Sequence, residues 1–454
     1  MIHFNKPSAL AAMAVLLAGC AGTPTPGEAK ARRSAQTVTQ AFRPSGAALK
    51  LPELSADSSL GEYLRLAMLK QPRVAAAYYD WLATVETITV SRSLPDPQLT
   101  FQADIASAVT SVMPGLMQAF PGPGKRETRA GVATAASRAK YFAFESVVLQ
   151  TAFAVKHAYY DLWFLNEKIR INRETLALLS DLERAARAKN EVGTVTLQDI
   201  YRAQIEQARL ETGIANLEDF RAPLQARFKA ALGLTAVEPD PPFPVRLEST
   251  PLDLDAEGLL AAGFDVNPRL KALEAEVRVA RAALGLALKA KLPDYSAGLM
   301  LNTRSTPLMA RPKAGVTLPV WRDKIAAEIA GARAAKDAAA ARLTAGQIDL
   351  ALDFAEQSYQ FREASRNLLL LQSQLIPKAR QSLEVARSGY LAGRIDFFNL
   401  IDAERTLLDF QLTEVGERTR REQVLTRISL QILGVRPASA PLLPRTGSET
   451  FLKP

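Results

Sequence analysis

The 454-residue sequence has one cysteine and two histidines, so it has few of the ligands from which protein metal centres are usually built. The single cysteine, Cys20, has no second cysteine with which to form an intramolecular disulfide. We expect His157 to be a packed or surface residue and not a ligand. No Gly-x-Ser-x-Gly or His-Glu-x-x-His motif occurs, so we interpret the chain as a non-enzyme with no metal site and no cofactor.

Aromatic residues and long apolar runs are also scarce. Aromatics make up 7% of the chain although 48% is hydrophobic, a composition dominated by alanine and leucine that suits long packed helices. The longest apolar run near the start, Ala9–Leu17, is too short for the roughly 20 residues of a membrane-spanning helix. The net charge of +9 contains no basic block with interleaved aromatics, so nucleic-acid binding is not expected.

The first residues read as an export signal that ends in a lipidation site. Lys6 precedes the short apolar run, and Leu17-Ala18-Gly19-Cys20 fits a bacterial lipoprotein box. We therefore predict a covalent lipid on Cys20 and a lipid anchor in the outer membrane, with which Ala21 after the cysteine is compatible. The alternative is a plain secretory signal with an incidental cysteine.

Two helical hairpins of unusual length dominate the rest of the chain. The segment Arg322–Gly434 repeats apolar residues every three or four positions and breaks only near Gly393. The segment Arg126–Val192 contains no proline, breaks at Gly193 and continues as a second helix to Gly233. A helix over 126–192 would be roughly 100 Å long at 1.5 Å per residue.

Each hairpin belongs to one copy of a unit that is duplicated in the sequence. Gly193 and Gly393, the Leu-Pro-Asp runs at Leu94 and Leu292, and other landmarks recur at a nearly constant offset of about 200 residues. The predicted domains follow from this duplication: a signal peptide (1–19), a lipidated extended tether (20–58), a first repeat (59–236), a Pro-rich linker (237–254), a second repeat (255–435) and a flexible tail (436–454).

Each repeat also contains two short segments with period-two alternation. The predicted strands cover 98–105, 112–120, 295–304 and 313–320. Each has about the 9–11 residues of a tilted membrane strand. A small soluble sheet is the alternative reading. Four strands cannot close a barrel, and open strand edges are not tolerated in lipid. If these strands span a membrane, several chains must therefore combine to form the barrel.

The register of these strands assigns their faces. We expect Leu99, Phe101 and Leu299 to face lipid. We expect the other face, which contains Thr100, Gln102 and Asn302, to line a lumen.

The duplicated unit and its motifs resemble the TolC-type outer-membrane efflux family over roughly residues 60–435. The motifs that carry the resemblance include Gly389-Tyr390-Leu391-Ala392-Gly393 and Leu400-Ile401-Asp402-Ala403-Glu404-Arg405. The resemblance implies a mainly α fold with a small β part. Three chains would form one 12-stranded β-barrel on an α-helical tunnel that extends from the outer membrane into the periplasm.

The resemblance also implies a gate at the periplasmic end. Asp402 matches an aspartate that rings the constriction, and Asn399 takes the place of a second one. Asp199 matches the acceptor of a polar link between hairpins, and Tyr390 matches a link tyrosine. Arg394 lies one position short of the usual link arginine. The alternative is that all five are solvated helix-surface residues.

The function implied is that of a passive outer-membrane duct in a tripartite efflux system. The partners would be an inner-membrane pump of the RND type and a periplasmic adaptor that contacts the helix tips around Gly193 and Gly393. The junction Gln118–Arg126 resembles that of members serving metal-cation pumps, so the cargo would be small molecules or metal cations. The alternatives are an exit duct for type I protein secretion and a non-channel periplasmic coiled-coil lipoprotein.

Overall fold

The computed structural model describes residues 23–42, 51–55, 57–105, 109–249, 259–302 and 309–437. The predicted signal peptide, Cys20 and most of the predicted C-terminal tail lie outside these residues. The described helices are α1 (Pro26–Phe42), α2 (Leu60–Lys70), α3 (Pro72–Arg92), α4 (Lys125–Glu191), α5 (Leu197–Asp219), α6 (Arg221–Leu232), α7 (Leu259–Val266), α8 (Pro268–Leu288), α9 (Arg322–Leu370), α10 (Ile376–Leu391) and α11 (Phe397–Arg427). No described helix is both long and apolar enough to cross a bilayer.

The two predicted hairpins are confirmed. The break at Gly193 separates α4, of 67 residues, from α5, and the break at Gly393 separates α10 from α11. The second helix of the first hairpin was predicted to continue to Gly233, but it is interrupted: α5 ends at Asp219 and the chain continues as α6. Pro223 explains this, because a proline lacks the amide that a helix interior needs but is tolerated in a first turn. The second hairpin contains two π-helical turns, Leu371–Leu375 and Ile428–Ile432.

The four strands form one antiparallel sheet in the order β1-β2-β3-β4. Their bounds are β1 (Gln98–Ile105), β2 (Val109–Phe120), β3 (Asp294–Asn302) and β4 (Met309–Thr317). The first three agree with prediction to within three residues, whereas the prediction of 313–320 for β4 was wrong by three to four residues. The strand ends at Thr317 because Pro319 has no amide to donate to a ladder.

The two faces of the sheet have opposite chemistry. Directly paired residues project from the same face, so the register assigns every side chain. One face, the apolar face, contains Leu99, Phe101, Ala103, Val112, Pro114, Leu116, Gln118, Phe120, Tyr295, Ala297, Leu299, Leu301, Ala310, Pro312, Ala314 and Val316. The other, the polar face, includes Thr100, Gln102, Asp104, Ser111, Ser296, Asn302, Arg311 and Lys313. Leu99, Phe101 and Leu299 are exposed, so the predicted division of the strands into two faces is confirmed.

The predicted extended tether was wrong for residues 26–42, which form α1. The helix buries Glu28, Ala35 and Val38 at helical spacing. Burial alone would raise the pKa of Glu28, but hydrogen bonds from Thr89, Arg92 and Arg32 lower it to about 2. The helix could not be recognised from the sequence because one of its few buried positions is a glutamate, Glu28. Two of the hydrogen-bond partners of Glu28 lie about 60 residues away on α3.

The described residues divide into two compact units, and each unit draws on both sequence repeats. The first unit takes the described parts of residues 1–40, 77–144 and 268–346, including the sheet. Its helical core contains Trp81 stacked on Phe144, with ring centroids 6.0 Å apart. The second unit takes the described parts of 41–76, 145–267 and 347–454. It contains the helical hairpin breaks and their buried cluster.

The turn from β2 into α4 explains the glycines of the Gln118–Arg126 junction. The Gly122 amide donates to Asp294 Oδ1 over 2.7 Å, and a Cβ at Gly122 would collide with the Pro293 carbonyl. Gly124 has a φ of +70°, which glycine adopts without strain. The buried Lys125 ammonium lies 2.8 Å from Asp294 and ties the start of α4 to the start of β3.

Candidate functional site

The two hairpin breaks have the same local geometry. Gly193 and Gly393 have φ values of +76° and +70°. The backbone amide of the residue after each glycine donates a hydrogen bond to the carbonyl five residues earlier, from Thr194 to Lys189 and from Arg394 to Gly389. No atom lies within 4 Å of a Cβ built at either glycine, so the left-handed backbone and not lack of space requires glycine there.

Tyr390 is buried beneath the second break. It belongs to an apolar cluster that includes Leu179, Leu182, Ala186, Ile200, Ala203, Ala386, Phe397, Leu400 and Ile401. The Lys189 ammonium lies 4.6 Å from the Tyr390 ring centroid and donates to the Tyr390 carbonyl oxygen. The Tyr390 hydroxyl has no hydrogen-bond partner in the part of the chain that the structure describes. Burial raises the pKa of Tyr390 to about 12, and the charge of Asp199 adds to this.

Asp199 lies in the first turn of α5 and is half-buried. Burial raises the pKa of its carboxyl; Arg202 opposes the shift and Asp396 adds to it. The structure therefore brings two of the predicted link residues, Tyr390 and Asp199, into electrostatic contact within one chain. Among the described residues no hydrogen bond joins them.

The other predicted gate residues lie on the surface. The backbone amide of Asn399 donates to Asp396 Oδ1 over 3.0 Å, so Asp396 caps α11 and the Asn399 side chain is left exposed. The side chain of Arg394 is exposed and makes no ion pair with any residue in the described ranges. Asp402 is exposed on α11. The structure thus separates the buried Tyr390 and the half-buried Asp199 from three surface residues.

Asp402 lines a shallow groove between α5 and α11. The groove also contains Arg202, Ile205, Glu206, Phe398, Ile401 and Arg405. Arg405 is paired with Glu206, its Nε lying 3.1 Å from Oε2 while a terminal nitrogen contacts Oε1. The Arg202 guanidinium lies 5.2 Å from the centre of the Phe398 ring. Both arginines are therefore engaged by neighbours other than Asp402.

Sequence reasoning missed Glu404, which is 3% exposed on the inner face of α11. Burial raises the pKa of Glu404 to about 7, a hydrogen bond with Thr175 opposes the shift, and Glu206 adds to it. The signal was present in the sequence. Phe397, Leu400, Ile401 and Glu404 follow the three-four spacing of a buried helical face.

The described residues contain no group of three or more His, Cys, Asp or Glu side chains that could hold a metal ion. His157 is partly exposed, with Nδ1 3.1 Å from Asp161 Oδ2 one helical turn away. This is the surface environment expected for it. The predicted lipidation site, Cys20, lies outside the described residues.

Comparison with known proteins gives one family match. Residues 265–434 match the family model described as outer membrane efflux protein. The cobalt-zinc-cadmium resistance protein CzcC of Cupriavidus metallidurans is 23% identical over 388 residues, which cover 84% of this chain and 91% of CzcC.

Solved structures show the same fold. The structure of CusC matches with a TM-score of 0.72 at 13% identity, covering 84% of this chain and 95% of that one. The outer membrane protein VceC of Vibrio cholerae matches with a TM-score of 0.70 at 16% identity, covering 84% of this chain and 99% of that one. The predicted fold, mainly α with a small β part, is confirmed by these likenesses.

Proposed function

Because the chain belongs to the outer membrane efflux protein family, we propose that it is the outer-membrane duct of a tripartite efflux pump. The observation that carries this proposal is the sheet. One face is apolar and exposed, the other is polar, and the helices before and after the strands all join the sheet at the same end. An apolar outside and a polar inside are what a membrane barrel around a water-filled lumen needs.

The free edges of the sheet require other copies of the chain. In the described part of one chain β1 and β4 each pair on one side only, and unpaired strand edges are not tolerated in a bilayer. We propose a homotrimer in which β4 of one protomer pairs with β1 of the next. The resulting barrel would have 12 strands, a size within the known range of membrane barrels.

The helix tips are the proposed docking place for a periplasmic adaptor. Gly193 and Gly393 end their helices in similar tight turns, with exposed Val192 and Leu391 beside them. Transport energy would come from an inner-membrane pump of the RND type. The duct itself would perform no catalysis, and its only added group would be the lipid on Cys20.

We propose that Tyr390 and Asp199 take part in the polar link between hairpins that keeps the periplasmic gate closed. A buried hydroxyl without a partner costs about 1–3 kcal/mol, and a second protomer could remove that cost. Asp402 would ring the constriction, because it is exposed and neither neighbouring arginine neutralises it directly. Arg394, with its side chain unengaged within the described chain, would reach across protomers, and Asn399 would place an uncharged side chain where the family has a second ring aspartate.

A cation is the first cargo to test, because CzcC is named as a cobalt-zinc-cadmium resistance protein. The experiment deletes the gene and measures cellular Zn²⁺, Co²⁺ and Cd²⁺, together with a dye cargo, with and without the wild-type gene. We expect accumulation in the deletion strain and rescue by the gene. Unchanged accumulation of every cargo, with loss of a secreted protein, would overturn the proposal in favour of type I secretion.

A further inference from the structure

Methionine is concentrated in the sheet. Of seven methionines, Met1 and Met13 lie in the predicted signal peptide and Met68 lies in α2. The remaining four, the strand methionines, are Met113, Met117, Met300 and Met309. Because seven methionines are spread over 454 residues, four of them in one small sheet call for a physical explanation.

The strand methionines all project from the polar face. Met113 pairs with Gln102, and Met309 pairs with Asn302, both of which belong to that face. Met300 lies two residues before Asn302 on the same strand and so projects the same way. Thioethers are therefore placed where the proposed duct has its lumen.

Two glycines make room for the thioethers of the central strands. Gly298 pairs with Met117, and a Cβ at Gly298 would lie 2.9 Å from the Met117 Sδ. Gly115 pairs with Met300, and a Cβ at Gly115 would lie 2.5 Å from the Met300 Cγ. Each methionine thus lies across the opposite glycine.

The strand register makes three of these methionines, Met113, Met117 and Met300, neighbours on one face, and we call them the thioether row. Met117 and Met300 occupy diagonal positions, which lie about 7–8 Å apart in a sheet and within reach of two long side chains. Met300 lies over Gly115, midway between Met113 and Met117 along β2. Met113 and Met300 are 1% and 3% exposed, whereas Met117 is partly exposed, so Met117 is the member of the row that an ion in the lumen would meet first.

We propose that three of the strand methionines, Met113, Met117 and Met300, form a thioether site for a soft monovalent cation, Cu(I) or Ag(I), on the inner wall of the duct. Thioether sulfur prefers such ions over the harder divalent cations, and the described residues offer no competing cluster of His, Cys, Asp or Glu. The inference names a cargo class for the proposed duct and rests on that proposal for its role in transport.

Arg311 keeps the site weak. It pairs directly with Met300 on the same face, so its positive charge lies beside the thioether row. Lys313, two residues on, donates a hydrogen bond to Gln102. A conduction site must release its ion as well as bind it, and a fixed like charge favours release.

The competing explanation is that methionine merely fills space in a curved sheet, since its flexible side chain fits irregular gaps. Leucine distinguishes the two explanations because it keeps the volume and removes the sulfur. Met68→Leu is the matched control, since Met68 is fully buried in α2 and belongs to the other compact unit.

The experiment titrates Ag(I) into the full-length protein in chloride-free lipid nanodiscs and follows the methyl signals of isotope-labelled methionine. We expect saturable binding that shifts the signals of Met113, Met117 and Met300 but not that of Met68. Met300→Leu should weaken binding by roughly tenfold or more, the scale on which residues around a metal act. Met68→Leu should leave binding unchanged, and Arg311→Gln should strengthen it.

Absence of saturable binding by the wild type would overturn the site, and so would equal binding by the wild type and Met300→Leu. Weaker binding by Arg311→Gln would refute the role given to that arginine. The cargo measurements in the deletion strain are independent of this titration. If the titration shows no site while the deletion strain shows the expected accumulation and rescue, the thioether site is wrong and the proposed duct stands.

Discussion

The Lys313 ammonium donates a hydrogen bond to Gln102 Oε1 over 3.1 Å. Lys313 lies on β4 and Gln102 lies on β1, which are the opposite edges of the four-stranded sheet. A contact between edge strands requires the sheet to curve, and both side chains lie on its concave, polar face. The curvature therefore assigns the polar face to the inside and leaves Leu99, Phe101 and Leu299 on the convex side.

The first prediction tests this assignment with two adjacent residues on β1. Phe101 is 71% exposed on the apolar face, and Gln102 follows it on the polar face at nearly the same depth. An arginine facing lipid near the bilayer midplane costs roughly 2–4 kcal/mol, whereas one facing a lumen avoids that cost. We expect Phe101→Arg to reduce the heat-resistant oligomer on gels far more than Gln102→Arg does. The opposite ranking would place the polar face against lipid.

The second prediction concerns Asp402. Three copies of this exposed carboxylate around one axis would attract cations. In planar bilayers we expect a cation-selective pore, and Asp402→Ala should lower the selectivity and any block by multivalent cations. Asp409→Ala, an exposed carboxylate further along α11, is the control. Unchanged selectivity and block in Asp402→Ala would remove Asp402 from the constriction.

The same recordings test the proposed link. Asp199→Ala should raise conductance, because it removes the acceptor beside the buried Tyr390 hydroxyl. Arg394→Ala should act in the same direction. If neither variant changes conductance, the link assignment carried by the family resemblance does not hold for this chain.

The third prediction concerns pH. Glu404 has a pKa of about 7 in the folded protein against 4.5 in the unfolded chain, so the folded state binds the extra proton between these values. Stability should therefore be highest below pH 4.5 and fall as pH rises through 7, by on the order of 3 kcal/mol for this group. We expect Glu404→Gln to unfold at higher temperature than wild type at pH 8 and to show little difference at pH 4.5.

The matched control for Glu404 is Glu211→Gln, an exposed glutamate on α5 with the same change of charge. Thermal unfolding of all three proteins across this pH range gives the comparison. A Glu404→Gln variant that is destabilised at pH 8 would mean that the ionised carboxylate is stabilised in the folded protein.

The fourth prediction concerns Cys20. The sequence Leu17-Ala18-Gly19-Cys20 should direct acylation, so Cys20→Ser should lose incorporation of labelled palmitate and leave an unprocessed precursor. Equal labelling of the two proteins would show a plain secretory signal. The buried Glu28 would still hold α1 in place, so folding of the remainder should survive the substitution.

Much of the fold could be predicted because its signals are local. Apolar spacing along α4 and α9, glycine at the two helix breaks, and strict alternation along β1 each follow from the geometry of one element. The offset of about 200 residues then identified the second copy of each element.

The signals that failed are those carried by partners distant in sequence. The buried charge of Glu28 depends on Arg92 and Thr89, so composition alone suggested a tether where α1 forms. The spacing of the apolar residues of α11 places Glu404 on the buried face, but its raised pKa depends on burial among residues that are distant in sequence. The gate residues came from a family resemblance and not from a local pattern, because the roles proposed for them would depend on contacts between protomers.

The most direct test of the central claim is electron cryo-microscopy of the full-length protein in lipid nanodiscs. The account predicts three chains around one axis, a single closed barrel in which β4 of each protomer pairs with β1 of the next, and a lumen lined by Gln102 and Lys313. A monomeric particle whose sheet closes on itself or lies outside the bilayer would contradict the claim that this chain is a trimeric outer-membrane duct.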